Sequence, residues 1–230
     1  VIELASTAFA MKNLQSVKIP NTVKTIGRFT FCQNQLTYIN IPKSVTKIEY
    51  GAFNDNKIIE EQAYIYDRTS TGEEDKTTLI GYGGNKKEIT IPKTVKTIAF
   101  CAMTNTPSIE SVIIGNNVTS IETSAFSCPN LKKVVIGENV TNLGLMAFSD
   151  CNNLMDVEFR GDVPNFAYVG SGDTSESGDG SVSGTIRVTS GYTFAYNENL
   201  KIKVPKGKLQ DYKTATVTLN GEVYYDSIVS

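Results

Sequence analysis

Five columns of apolar residues recur in register along this chain, and they limit its fold more than anything else in the sequence. Phe9, Phe31, Phe53, Met103, Phe126 and Phe148 are separated by 22, 22, 50, 23 and 22 residues. Val17, Ile39, Ile89, Val112, Val134 and Val157 follow with steps of 22, 50, 23, 22 and 23. Two residues later stand Ile19, Ile41, Ile91, Ile114, Ile136 and Phe159. Val23, Val45, Val95, Val118, Val140 and Val163 form the fourth column, and Ile26, Ile48, Ile98, Ile121 and Leu143 the fifth. A period of 22–23 residues marks a small structural unit stacked on copies of itself.

One unit cannot fold alone. About six buried side chains at roughly 1.5–3 kcal/mol each do not offset the ordering of some 22 residues at about 1–2 kcal/mol apiece. Each coil must bury its apolar face against its neighbours, which predicts a solenoid. The Val-x-Ile segments alternate inward and outward like short strands, and Pro20, Pro42, Pro92, Gly115, Gly137 and Gly161 end them. The Ala-Phe segments are more helical in character, which predicts a 3₁₀ or short α turn. The expected fold is therefore mainly β, with parallel strands on the concave face and short helical or 3₁₀ turns between them. A short polar column, Thr22, Ser44, Thr94, Asn117, Asn139 and Asp162, is placed to hydrogen-bond turn backbone. The sequons Asn117-Val118-Thr119 and Asn139-Val140-Thr141 arise from this column and are read as stacking residues.

These motifs carry a resemblance. The run Ala8-Phe9…Leu14-x-x-Val17-x-Ile19-Pro20-x-x-Val23-x-x-Ile26-Gly27, and its copy over Ala125–Gly144, are similar to the BspA-like leucine-rich repeat family of bacterial surface proteins. The resemblance implies a leucine-rich-repeat solenoid over residues 1–164. It also implies an extracellular or cell-surface binding role, adhesion to host matrix or cells among the possibilities. Val1 and Leu4 fit the repeat, so the chain is expected to begin mid-coil, with upstream sequence and a signal peptide removed.

The 50-residue step predicts an insertion at about residues 56–85, a β-hairpin projecting from the stack, with an acidic, solvated tip. Residues 165–183 read as a flexible Gly/Ser/Asp loop. Residues 184–230 read as a degenerate repeat and C-terminal cap, with a strand at 184–188, a short helix at 206–213 and a hairpin turn at Asn220-Gly221.

Composition narrows the function. The chain has no histidine, which removes the commonest general base and metal ligand. No nucleophile elbow, phosphate loop, metal cluster or paired-acid constellation is present, so no catalytic, cofactor or metal residue is assigned. With 22 basic and 24 acidic residues interspersed, no basic face for nucleic acid is expected. No apolar run reaches the roughly 18 residues of a membrane span. Cys128 and Cys151 hold nearly equivalent repeat positions. They read as buried thiols, or as a disulfide if adjacent coils bring their Cα atoms within about 7 Å.

The expected function is a non-enzymatic module binding an extracellular protein or glycan; the alternative is a spacer in a larger envelope protein. The outward residues of the concave strands are the first candidates: Tyr38, Ile113, Lys133, Val135 and Glu158. Ile113 and Val135 are apolar where solvent is expected, either packing across the sheet or forming a docking patch with a charged rim. Tyr64, Tyr66 and Tyr82 of the hairpin are the second set, either contacting a partner or covering the hairpin base.

Overall fold

The computed structural model describes residues 2–166, 193–194, 200–211 and 228–229. In chain order the elements begin with β1 (Ile2–Leu4), β2 (Val23–Ile26), β3 (Lys47–Ile48), α1 (Glu60–Ala63), β4 (Tyr64–Arg68) and β5 (Glu74–Tyr82). They continue with β6 (Glu88–Thr90), β7 (Thr97–Ile98), β8 (Met103–Thr104), β9 (Ser111–Ile114), β10 (Ser120–Ile121) and β11 (Phe126–Ser127). Last come β12 (Lys133–Ile136), β13 (Asn142–Leu143), β14 (Asp156–Phe159), β15 (Asn165–Phe166), β16 (Lys201–Lys203) and β17 (Ile228–Val229).

The strands fall into three rows, because each coil visits the same places once per period. The first row is a parallel sheet in the order β17-β16-β14-β12-β9-β6. Its register sets Ile89, Val112, Val134, Val157 and Ile202 side by side. The second row is β15-β13-β10-β7-β5-β4, with β1-β2-β3 as a separate sheet of the first coils. The third pairs β11 with β8. Rings stack from coil to coil: the exposed Phe9 on buried Phe31 and Phe31 on Phe53, then Phe126 on Phe148 and Phe148 on Phe194.

Three expectations are corrected. The Ala-Phe segments are not helical. Tight i→i+3 bonds do form there, for example from Ala102 N–H to Ala99 O and from Thr104 N–H to Cys101 O. Between such turns stands a left-handed residue: Thr7, Phe29, Gly51, Cys101, Ser124 or Met146. A positive φ interrupts right-handed propagation, so the segment bends instead of coiling.

Nor does the insertion project from the stack. β4 and β5 pair antiparallel, and β5 also pairs in parallel with β7, so the hairpin occupies the second row as two extra strands. Its tip rests on the preceding coil. Arg68 donates to the carbonyls of Gly72 and Ile41, and Lys43 pairs with Glu73 at 2.6 Å. Consecutive residues of β5 point to opposite sides, so Leu79 joins the larger core cluster and Ile80 the smaller one. The hairpin thereby divides the interior in two. Asn54 spans the division, donating to Ala102 O and Thr104 O and accepting from the Tyr82 N–H.

The expected polar column holds in part, and the buried ladder lies in another column. Asn117 and Asn139 donate to the carbonyls of Lys93 and Asn116 as expected, but at the exposed surface, and the buried Ser44 hydroxyl has no partner among the described residues. The buried column is Asn34, Asn56, Thr106, Cys128 and Cys151. Asn34, Asn56, Cys128 and Cys151 each donate to a carbonyl of the coil before: Phe9, Phe31, Met103 and Phe126. Both cysteines are free. The neighbouring Cys128 thiol and burial push the Cys151 thiol pKa up, as suits a neutral hydrogen-bond donor.

Of the expected loop at 165–183, residues 165–166 instead form β15, and the rest of it, the strand at 184–188 and the Asn220-Gly221 turn lie outside the described residues. Of the expected helix at 206–213, residues 209–211 are helical.

Candidate binding surface

The outward side of the first row is built by strand alternation. In β9, Val112 and Ile114 point inward, and Ser111 and Ile113 outward. The next coils place Lys133 and Val135, then Asp156 and Glu158, directly beside them in register. Ile113 is 42% exposed, whereas Val135 is only 4% exposed. The expectation that both face solvent is corrected for Val135. It is flanked by the long side chains of Ile113 and Glu158, and Glu158 is held by Arg160 at 3.0 Å. Ile113 has the short Thr90 on its other side and stays open.

Charge along this row alternates. Lys133, Asp156 and Lys201 are lateral neighbours, as are Glu158 and Lys203. At the edge of the row, Glu110 binds Lys87 and Lys132 of the flanking coils, each at 2.7 Å. The hydrogen bonds from Lys132 and Lys87 push the Glu110 carboxyl down to about 2. A folded value below the ordinary 4.5 contributes stability above that pH, and loses it as pH falls toward 2. Glu110→Gln is therefore expected to lower the melting temperature by no more than about 2 °C near pH 6, because the pairs are exposed and screened. The difference should shrink as pH falls toward 2 and vanish below it. A gap that persists in acid would contradict this account.

Tyr38 is exposed, but it does not share a sheet with Ile113. Residues 57–64 of the insertion lie between them. Ile59 N–H bonds Thr37 O, Gln62 accepts from Ile39 N–H, and on the other flank Tyr64 donates to Thr90 O at 2.8 Å. Residues 16–19 and 38–41 form no strand, so the Val17-x-Ile19 and Ile39-x-Ile41 segments expected as strands are not, and the first row starts at β6. The hairpin tyrosines cover the hairpin base. Tyr82 is buried, with the Tyr64 ring 5.2 Å away, and Tyr66 is half-buried against the larger core cluster. Burial pushes all three phenol pKa values up. The structure thus brings Ile113, Lys133, Val135 and Glu158 together, with Val135 beneath the surface, and leaves Tyr38 and the hairpin tyrosines elsewhere.

Sequence reasoning overlooked a further group, the rings of Phe29, Tyr50 and Phe100. The signal was present: Tyr50 and Phe100 are 50 residues apart, the same step that separates Phe53 from Met103. They therefore hold one repeat position.

No curated protein matches this chain. Among solved structures it is similar to a leucine rich cell surface protein from Faecalibacterium prausnitzii, at 24% identity and a TM-score of 0.59 over 89% of this chain and 52% of that one. A leucine-rich repeat protein from Eubacterium ventriosum is also 24% identical, with a TM-score of 0.52 over 70% of this chain and 46% of that one. The chain spans about half the length of each, and what it shares with them is the fold. The BspA type leucine rich repeat region matches in six copies, over residues 2–72 and 82–170. The unmatched interval, 73–81, runs from Glu73 at the hairpin tip through all of β5 but Tyr82. With its period, its stacked rows and these six copies in agreement, the chain belongs to the BspA-type leucine-rich repeat family.

Proposed function

We propose that this chain is a non-enzymatic binding module of a cell-surface or secreted protein, and that it engages a protein partner through the first strand row. One observation carries the reading. Ile113 is an exposed branched apolar side chain on β9, one strand in from the β6 edge of the parallel sheet, with Lys133 and Glu158 on the strands beyond it. An apolar centre inside a mixed-charge rim is the usual anatomy of a protein interface. Family membership supports a binding or structural role, and the description of the Faecalibacterium prausnitzii protein supports the surface location. Adhesion to host matrix is the specific form we favour.

The test is surface plasmon resonance of the chain against immobilised fibronectin, fibrinogen, laminin and collagen. Ile113→Ser with Lys133→Glu should weaken the binding seen by about tenfold or more with the melting curve unchanged. Val135 is unsuited to the test, because a polar residue there would disturb the sheet. Retention of no matrix protein, or equal binding by the variant, would reject the proposal and favour a spacer.

A further inference from the structure

The first strand row ends at β6, and the outer edge of β6 is unpaired. Its one ladder partner is β9. Along a strand, successive residues turn their backbone groups to opposite neighbours. Ile91 N–H reaches Ile113 O, and Lys87 O receives the Ser111 N–H, so the odd-numbered residues face β9. The N–H and C=O groups of Glu88 and Thr90 therefore face the other way. Among the described residues one bond meets them, from the Tyr64 hydroxyl to Thr90 O at 2.8 Å.

Residues 57–64 stand beside this edge without pairing with it. Their amides are used elsewhere: Ile58 N–H bonds Gly83 O, Ile59 N–H bonds Thr37 O, and Gln62 N–H bonds Ile59 O. Glu88 and Thr90 are exposed. Such an edge is a line of backbone donors and acceptors at the spacing of a further strand. Exposed apolar side chains lie on both sides of it. Tyr38 and Ile59, 56% and 46% exposed, are on one flank, brought together by the bond between Ile59 and Thr37. Ile113, 42% exposed, is on the other, one strand in.

Apolar side chains alone would select no partner. An open backbone edge between two apolar flanks selects an extended polypeptide, whose amides satisfy the edge while its outward side chains lie between the flanks. A second folded copy would meet residues 57–64 before its own edge came to β6, whereas an extended segment is one strand wide, about 4.8 Å. We propose that the protein partner of the first row contributes an extended segment that adds as a strand to the outer edge of β6. This rests on the protein-binding reading and specifies what is recognised. Tyr64 covers the edge in the unbound chain, and its hydroxyl gives up Thr90 O to an incoming N–H.

The test adds a fluorescein-labelled peptide with the sequence of residues 131–137, which contains β12 of this same sheet, to the full chain. Anisotropy should rise saturably below about 1 mM, and hydrogen exchange should slow at the Glu88 and Thr90 amides. A peptide with prolines for its two valines lacks ladder donors and should not bind. Thr90→Pro removes an outward N–H and leaves the β9 ladder intact, so binding should weaken about tenfold with the melting curve unchanged. Tyr64→Phe frees Thr90 O and should tighten binding about twofold. Matrix-protein binding that needs Ile113 but survives Thr90→Pro would keep the first-row reading and overturn the edge. Peptide binding with no matrix protein retained would keep the edge and reject matrix adhesion. The proposal is also overturned if the peptide does not bind, if the proline peptide binds equally, if exchange at Glu88 and Thr90 is unchanged, or if sedimentation shows a dimer that Thr90→Pro abolishes.

Discussion

Replacing Asn56 by leucine is expected to lower unfolding stability by about 3 kcal/mol, or roughly 6–12 °C in melting temperature. Leucine fits the volume, so packing is not what is lost. The Asn56 amide donates to the carbonyls of Phe31, Phe53 and Asn54, and its oxygen accepts the Leu36 N–H at 3.0 Å. All of this is buried, where an unpaired polar group costs about 1–3 kcal/mol. The Leu36 amide would keep no partner, and three carbonyls would each lose a donor. Cys128→Ala, in the same column, should cost less, since a thiol is a weak donor with one carbonyl to hold. Urea unfolding of the two variants measures the difference. Equal losses would mean that the column acts through volume alone.

Gly72→Ala should cost about 2–3 kcal/mol and free the hairpin tip. Gly72 has φ +82°, which L side chains rarely adopt. A Cβ there would also fall 1.8 Å from the Lys43 carbonyl oxygen, and backbone cannot rotate aside as a side chain can. The tip would have to lift from the preceding coil, breaking the contacts of Arg68 with Ile41 and of Lys43 with Glu73. β5 keeps its pairing with β7, so the damage should be local. Hydrogen exchange should accelerate at Gly72 and Glu73 and stay slow at Leu79. Uniform acceleration would show that the tip is no separate unit.

The expected core was legible. Val112, Val134 and Val157 were aligned by spacing and are register partners in the first row, and Phe126 stacks on Phe148 as their shared column implies. The candidate site was legible only in part. Alternation along a strand says that Ile113 and Val135 point away from the core, and both do. It does not say whether they reach water, because that depends on Thr90, Glu158 and Arg160 in other coils. The buried ladder was missed for a related reason. Asn34 and Asn56 recur at 22 residues, but Thr106, Cys128 and Cys151 continue the column with different chemistry, so no residue type marks it. What unites them is a shared place beside the carbonyls of the preceding coil.

The sequence by itself determined the period, the inward columns and hence a stacked, parallel, mainly β solenoid. A coil of this length has too few apolar residues to stand alone, and only one stacking buries five columns at once. The tertiary structure decided the rest: the hairpin set within the second row, the polar column that is buried, and the outward side chains left open. Each of these depends on a neighbour about 5 Å away across the sheet but a whole coil away along the chain. A side chain's own position cannot specify the length of the one beside it.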